Sequence, residues 1–265
     1  MLKKRVIPVI LFRNGRIVQS RQFARYNIIG DPFSAVERIS SWHSDELLYL
    51  DISEQEDHEP QDRGFEELLS SISTKCSVPL AFGGGIRTVM DARRRLRLGA
   101  DKVTLNTAAI ENAALISEIA GEFGSQAVVV SMDVKVNEAG RYEVYKCGRI
   151  PTGMSPEVFA KTIVARGAGE ILLNSVDRDG TGLGFDLDLI NLVCEAVPIP
   201  VVAMGGAGTW QHFADVLERT RASGVAAANI FQHLENSVYL CRDHLYKAGF
   251  PVRKPLPLSI NSSPL

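Results

Sequence analysis

A glycine-rich turn occurs twice in this 265-residue chain, and each copy directly follows a short apolar run. The first turn covers residues 83–85 and the second covers 205–208, an offset of 122 positions. The same offset relates the apolar run that ends at Leu11 to the run that ends at Asp133. Repetition over half a chain indicates two similar structural halves, each of which needs the other to bury its apolar faces.

Apolar runs of about five to seven residues without strict alternation are typical of strands buried on both faces. We place such strands near 6–11, 47–51, 78–82, 102–105, 127–133, 170–175, 200–204 and 224–228. Helical segments are predicted at 32–41, 65–74, 89–98, 113–123, 156–166, 187–197, 211–219 and 237–248. Eight strand-helix units in two similar halves predict one α/β (β/α)8 TIM barrel over residues 1–253, followed by a flexible tail over 254–265.

Composition narrows the class of protein. A net charge of -2 and a pI near 6.2, with no basic stripe, argue against a nucleic-acid partner. The apolar run that ends at Phe12 is too short for a signal or membrane segment. Four widely spaced cysteines and five scattered histidines suggest reduced, mostly buried thiols and no metal site. We therefore expect a cytoplasmic protein without a metal or other cofactor.

Two connections are longer than a simple turn requires, Arg13 to Gly30 and Val134 to Gly153. Both follow predicted barrel strands and so leave the carboxyl-terminal ends of those strands, where TIM barrels carry their chemistry. We expect each to form a lid or a small hairpin insert over the mouth of the barrel.

The two glycine turns are candidate phosphate-binding loops. Glycine at a strand-to-helix junction lets the backbone approach an anion closely and point several N–H groups at it. Two such turns across one barrel mouth would suit a ligand with a phosphate at each end. Asp179 and Gly180, after the sixth strand, would join the second turn. The alternatives are ordinary tight turns and an Asx turn.

With these residues in view, the chain resembles the cyclase subunit family of imidazole glycerol phosphate synthase, a glutamine amidotransferase of histidine biosynthesis. The resemblance runs from about Lys4 to Val252, and its most specific segments are 83–87, 99–103, 177–181 and 205–209. It implies that a separate HisH-type glutaminase docks on the amino-terminal face and that ammonia passes through the barrel. At the other face, two aspartates would act as general acid and base on a phosphorylated small molecule.

The resemblance assigns Asp133 as one catalytic aspartate but finds Leu11 at the position of the other. Gln19, Asn174, Met204 and Asn229 also depart from the residues that the family carries at this mouth. Leucine cannot transfer a proton, so a changed or lost substrate is one interpretation. The phosphate and substrate ligands that the resemblance implies are Gly83, Gly84, Gly85, Asn106, Thr107, Asp179, Gly180, Gly205, Gly206 and Asn229.

At the opposite face, Arg5, Glu46, Lys102 and Glu170 match the charged ring that gates ammonia in this family, and Asp101 matches a partner-facing aspartate. The alternative for the ring is a stabilising salt-bridge network at the base of the barrel. Asp51, at the end of the second strand, could assist Asp133 or could be a hydrogen-bonded structural residue.

Three functions follow from a retained gate beside an altered mouth. The first is an amidotransferase subunit that channels ammonia to a sugar in surface polysaccharide biosynthesis, with an ATP-dependent sugar-amidating enzyme as a further partner. The second is the imidazole glycerol phosphate synthase cyclase of histidine biosynthesis, which would have to tolerate Leu11. The third is a scaffold without catalysis that activates the glutaminase by binding it.

Overall fold

The computed structural model describes residues 3–42, 44–53, 63–232 and 235–256. Its strands are β1 (Arg5–Arg13), β2 (Arg16–Arg21), β3 (Arg25–Gly30), β4 (Leu47–Asp51), β5 (Leu80–Gly83), β6 (Lys102–Leu105), β7 (Val128–Val136), β8 (Tyr142–Lys146), β9 (Ile150–Pro151), β10 (Glu170–Ser175), β11 (Val201–Met204) and β12 (Gly224–Ala227). Its α-helices are α1 (Pro32–Ser41), α2 (Arg63–Lys75), α3 (Val89–Arg97), α4 (Thr107–Glu111), α5 (Ala114–Phe123), α6 (Pro156–Ala165), α7 (Leu187–Ala196), α8 (Trp210–Arg219) and α9 (Ser237–Lys247).

Eight of the strands close into a parallel barrel in the order β1, β4, β5, β6, β7, β10, β11 and β12. The pairing of β12 with β1 and of β10 with β7 leaves no open edge in this ring. Helices pack around it between successive strands, so the predicted (β/α)8 barrel is confirmed. The proposed tail falls mainly outside the described residues, because 257–265 are not among them.

Alternating side chains of the barrel strands face two different apolar cores. In β1, Ile7, Val9 and Leu11 pack inside the barrel, whereas Val6 and Ile10 pack in the larger core between the strands and the helices. Both sets are buried because each strand is covered on its two faces. This explains why the strands read as continuous apolar runs in the sequence.

Both long connections form hairpins, which is one of the two forms that the sequence predicts for them. After β1 the chain forms β2 and β3, and after β7 it forms β8 and β9, each pair antiparallel. Each hairpin starts at the end of a barrel strand, because β1 and β7 extend past the ring and pair there with β2 and β8, respectively. The two inserts therefore stand at the same mouth of the barrel.

The glycine turns follow β5 and β11, the third and seventh strands of the ring, as the repeat predicts. Gly84 has a φ of +106°, and a Cβ there would lie 2.2 Å from the carbonyl oxygen of Asp51. Gly206 has a φ of +105°, and a Cβ there would lie 2.1 Å from the carbonyl oxygen of Gly184. Glycine is thus required by the backbone conformation and by the neighbouring chain at both turns.

Two further sequence-based expectations concern the cysteines and the membrane. Cys194 and Cys241 are buried, but Cys76 is only partly buried and Cys147 is exposed, so the expectation of mostly buried thiols is half right. Cys147 is exposed because it lies in the tight turn between β8 and β9. Among the described helices, none is long and apolar enough to span a bilayer.

The two turns also permit a test of helix capping. Thr88 caps α3: its hydroxyl accepts a hydrogen bond from the Asp91 N–H, and the Asp91 carboxylate accepts one from the Thr88 N–H. Thr209 occupies the matching position before α8 but makes no side-chain capping bond. We expect Thr88→Ala to lower the free energy of unfolding by about 1 kcal/mol, and Thr209→Ala by clearly less, in urea titrations. Equal losses would contradict this account of the cap.

Candidate functional site

Asp133 lies at the carboxyl-terminal end of β7, on the floor of the barrel mouth. Its carboxylate is buried between two amide side chains that come from neighbouring strands. Asn106 Nδ2 donates to Asp133 Oδ2 at 3.1 Å, and Asn174 Nδ2 donates to Oδ1 at 3.4 Å. Closure of the barrel brings Asn174 alongside, since β10 pairs with β7 at these two residues. The amides hold the carboxyl group in one orientation.

Burial raises the pKa of Asp133 to about 7, and the hydrogen bonds from Asn174 and Asn106 oppose this rise only in part. The negative charge of Asp179 pushes the pKa in the same upward direction as burial. A carboxyl group that titrates near neutral pH can both accept and return a proton during one reaction cycle. Asp133 is therefore suited to general acid-base chemistry.

The raised pKa predicts how stability depends on pH. Between its unfolded pKa of about 3.9 and its folded pKa, Asp133 binds more protons in the folded state, so its stabilising contribution is lost as the pH rises. We expect the free energy of unfolding of the wild type to fall more steeply than that of Asp133→Asn between about pH 5 and about pH 8. Parallel curves in urea titrations would mean that this carboxyl group ionises normally.

The first predicted phosphate site brings together the turn after β5 and the residues after β6. Asn106 Oδ1 accepts a hydrogen bond from the Cys147 N–H at 3.2 Å, and the Thr107 hydroxyl lies 3.1 Å from Cys147 Sγ. The β8–β9 turn thus rests on both predicted ligands. Buried Arg95 lies beside the turn, with its Nη2 atom 3.4 Å from where a Cβ of Gly85 would be. Sequence reasoning missed this cation.

The second predicted site brings together Asp179, Gly180 and Asn229, and a residue of β2 contacts all three. The Ser20 hydroxyl donates to Asp179 Oδ2 at 2.8 Å, and Asn229 Nδ2 donates to the Ser20 carbonyl oxygen at 2.8 Å. A Cβ at Gly180 would lie 2.4 Å from that same oxygen. Burial raises the pKa of Asp179 to about 6. A ligand that binds Asp179 Oδ2 or Asn229 Nδ2 has to displace Ser20.

The second glycine turn itself contacts protein on the side that the loop after β10 covers. The Gly184 N–H donates to the Gly206 carbonyl oxygen at 2.8 Å. The Gly208 N–H donates to His212 Nδ1 at 3.1 Å, so this amide already has a partner within the protein. The close packing explains Gly206 and Gly208 structurally, which is the alternative that the sequence left open.

The two hairpin inserts meet above the mouth. The Phe23 ring lies against Gly148, where a Cβ would be 2.7 Å from the ring, and Arg149 Nη2 donates to the Phe23 carbonyl oxygen at 3.3 Å. The Gly148 backbone also hydrogen-bonds to the buried Asp133 carboxylate, so the insert after β7 covers this group. Access of a substrate therefore depends on the position of the inserts.

Beside Asp133, the upper part of the barrel interior is apolar. Leu11 is 5 % exposed and packs in one cluster with Val18, Met204 and Ala228. Leu11 belongs to the β1 positions that face the barrel interior, like Ile7 below it. A hydrocarbon side chain therefore fills this position of the barrel interior.

The contacts of Asp51 favour a structural role over assistance to Asp133. Its Oδ1 atom accepts hydrogen bonds from the Ser53 N–H at 3.0 Å and the Ser53 hydroxyl at 2.7 Å. The side chain is buried, and the backbone carbonyl oxygen of Asp51 packs closely against the turn at Gly84. These contacts fix the chain where β4 ends.

At the opposite end of the barrel, four charged side chains form a closed ring of ion pairs. Lys102 Nζ lies 2.8 Å from Glu46 Oε1 and 2.9 Å from Glu170 Oε2. Arg5 Nη1 lies 3.0 Å from Glu46 Oε2, and Arg5 Nη2 pairs with Glu170. Burial pushes the pKa of Glu170 upward, but the hydrogen bond and charge of Arg5 outweigh it, and the net shift is downward. The Glu170 carboxylate therefore remains ionised within the ring.

Above this ring, a small cavity inside the barrel is walled by Ile7, Leu48, Ala81, Val129, Leu172 and Val202, with Glu46 and Glu170 at its base. Asp101 lies on the same face of the barrel and is exposed. One of its carboxylate oxygens accepts a hydrogen bond from the Leu80 N–H at 2.8 Å, so it also fixes the start of β5.

Comparison with known proteins gives two findings. The family described as Histidine biosynthesis protein matches residues 5–237 of the chain. The imidazole glycerol phosphate synthase subunit HisF of Gluconacetobacter diazotrophicus is 43 % identical over 254 residues, covering 96 % of this chain and 97 % of that protein. The name of this relative agrees with the second of the three functions expected from the sequence rather than with the first.

Proposed function

The chain belongs to the histidine biosynthesis protein family, and from this premise we propose that it is the cyclase subunit of a glutamine-dependent amidotransferase of the imidazole glycerol phosphate synthase type. The observation that carries the proposal is the buried Asp133 carboxyl, which titrates near pH 7 at the end of an apolar barrel whose other end bears a closed ring of ion pairs.

The barrel interior suits passage of ammonia. The free-energy cost of removing ammonia from water is far smaller than the cost for ammonium, because ammonia is uncharged. A lumen walled by aliphatic side chains therefore favours the neutral form. In this proposal Arg5, Glu46, Lys102 and Glu170 form the gate, and a HisH-type glutaminase docks on the face that carries Asp101. Separation or rearrangement of one ion pair would open the entrance without exposing the whole lumen.

At the mouth, Asp133 would transfer the protons of cyclisation. Asn106 and Asn174 hold the carboxyl group in place, and its raised pKa lets it return a proton that it has taken. The phosphate groups of the substrate would be held by the backbone of the glycine turns with Thr107 and Asn229, after displacement of Ser20 and Cys147. A single carboxyl acting in turn as base and acid replaces the pair of aspartates.

Turnover of the ribulosyl-formimino bis-phosphate substrate of this family, with excess ammonium and the purified chain alone, tests the proposal. Free ammonia removes the need for any glutaminase, so the expected result is cyclisation by this chain. A folded protein without detectable turnover would contradict it, because the reaction then requires groups that this mouth does not provide.

One observation favours a second function, which is delivery of ammonia to another acceptor. Leu11 and Met204 make the mouth apolar where the resemblance places a proton-transferring and a hydroxyl side chain. In this version the acceptor is a sugar of surface polysaccharide biosynthesis, and a separate ATP-dependent enzyme activates it. The gate would be used unchanged.

Leu11→Asp separates the two functions. If the cyclase proposal is right, a carboxyl group at the matching interior position should raise ammonium-dependent cyclisation by about tenfold, less than a fully positioned acid provides. Leu11→Asn is the matched control, because it has nearly the same shape but no transferable proton in this pH range. No gain in either variant, from folded protein, would favour the ammonia-delivery function.

A further inference from the structure

A cavity of about 330 Å³ opens on the face that carries the amino-terminal ends of the barrel strands, at the far end of the barrel from Asp133. Its wall contains three cationic side chains and three serines, namely Arg242, Arg253, Lys254, Ser41, Ser44 and Ser77. The serines precede β4 and β5, and the cations come from α9 and the segment after it. This cavity is separate from the ring of ion pairs and from the glycine turns.

Arg242 is the most unusual residue of the cavity because its side chain is fully buried. It is 1 % exposed, and among the fully buried side chains it is one of the largest. Its Nη2 atom donates to the Arg253 carbonyl oxygen at 3.0 Å, whereas its Nε atom makes no hydrogen bond among the described residues. Buried arginines usually have their donors satisfied and their charge compensated.

The charge around Arg242 is only partly balanced. Within 4 Å, the described residues offer it one carboxylate, that of Asp45, whose Oδ1 atom lies 3.7 Å from Arg242 Nη2 and 3.6 Å from Arg253 Nε. Neither distance is a hydrogen bond, and Asp45 Oδ2 is occupied by the Val6 N–H at 3.0 Å. One carboxylate thus faces two guanidinium groups, and Lys254 adds a third positive charge to the wall.

Among the described residues, the wall of the cavity contains no carboxylate that could supply the missing negative charge. Ser41 and Ser44 donate their hydroxyl hydrogens to the carbonyl oxygens of Arg38 and Ile39. A buried cation without full compensation is destabilising, so an external anion would gain free energy by entering here.

We infer that this cavity binds a small oxyanion, a phosphate or carboxylate group of a free small molecule, through Arg242, Arg253 and Lys254. Guanidinium groups bind both oxyanions through paired, charge-assisted hydrogen bonds. The cavity volume accommodates such a group together with several further atoms. The cavity is separate from the mouth and from the gate, but it opens on the face on which the glutaminase is proposed to dock, so the test uses the chain alone.

Nuclear magnetic resonance of the arginine Nε–H groups in the full-length, nitrogen-15-labelled chain tests the inference at a single atom. Arg242→Lys identifies the Arg242 signal by its loss, and inorganic phosphate and acetate are the two probes. We expect a saturable shift of the Arg242 signal with one or both probes, which also tells phosphate from carboxylate recognition. The double variant Arg253→Ala/Lys254→Ala should bind about tenfold more weakly or worse.

Arg166→Ala is the matched control, because it removes one positive charge at an exposed position on the outer surface and should leave the affinity unchanged. The inference would be overturned if the Arg242 signal did not shift at high concentrations of phosphate or at high concentrations of acetate. A shift that the double variant retains in full would also overturn it. A signal that moves only when a glutaminase is added would replace the free ligand by an acidic side chain of that partner.

Discussion

The substitution Asp133→Asn is expected to lower the rate of ammonium-dependent cyclisation by about 10²–10⁴-fold while leaving the fold intact. The amide has nearly the same shape as the carboxyl group. Its oxygen can accept from Asn106, and its NH2 group can donate to Asn174 Oδ1 after the Asn174 amide turns over, but it cannot transfer a proton. The measurement is kcat and kcat/KM with ammonium, beside circular dichroism of both proteins. The loss should appear mainly in kcat, because Asp133 contributes to proton transfer rather than to phosphate binding.

Asp188→Asn provides the control for a changed charge alone. Asp188 is exposed in the first turn of α7 and should tolerate the substitution with no more than a small change in rate. The pH dependence offers a second check, since wild-type activity should change near pH 7 with the ionisation of Asp133. An Asp133→Asn variant with near-normal kcat would remove Asp133 from the chemistry.

The sequence predicted the barrel well because the dominant signal is burial on both faces. Each of the eight predicted strands overlaps an observed one within a few residues, as with 170–175 for β10. Closure of such strands into a ring places every strand end at one of two faces. Asp133, Asn106 and the two glycine turns could therefore be assigned to one mouth, and Glu46 and Lys102 to the other, from chain order alone.

The contacts of the hairpin inserts could not be predicted in this way. Ser20 on Asp179, Phe23 on Gly148 and Cys147 on Asn106 depend on the direction in which each hairpin leaves its strand. That direction is set by turns such as the one at Cys147, whose φ is +52°, and no periodic pattern reports it. The sequence therefore placed the predicted ligands at the mouth but did not predict the residues that cover them.

Buried charge was also beyond the reach of pattern analysis. Arg242 lies in an ordinary helical stretch of α9, and Arg95 lies among four basic residues of α3, so both read as surface positions. Their burial follows from the packing of helix ends against loops that are distant in sequence. In the sequence, a buried arginine can be recognised only when it falls on the apolar face of its helix. In helices as short as α3 and α9, that face is poorly defined by the hydrophobic pattern.

Replacement of Lys102 by alanine is expected to uncouple glutamine hydrolysis from ammonia use. The side chain bridges Glu46 and Glu170. Its loss leaves two buried carboxylates whose remaining ion pairs, among the described residues, are with Arg5. Their repulsion should hold the ring open, and ammonia would escape at the interface of the two subunits. Breaking a buried ion pair also costs up to about 3–5 kcal/mol, although partial exposure of Lys102 should keep the loss below this.

The measurement compares two reactions of the same variant in complex with its glutaminase. Activity with glutamine should fall by at least about tenfold relative to activity with ammonium, which a purely structural role of the ring would not change selectively. Lys102→Arg should restore coupling in part, and Arg93→Ala, which breaks an exposed ion pair with Glu122, should leave it intact. If both reactions fall together in Lys102→Ala, the ring stabilises the barrel base and is not a gate. A third outcome would support the scaffold function. In that case the chain would still activate the glutaminase but would use ammonia from neither source, so that binding would be its whole contribution.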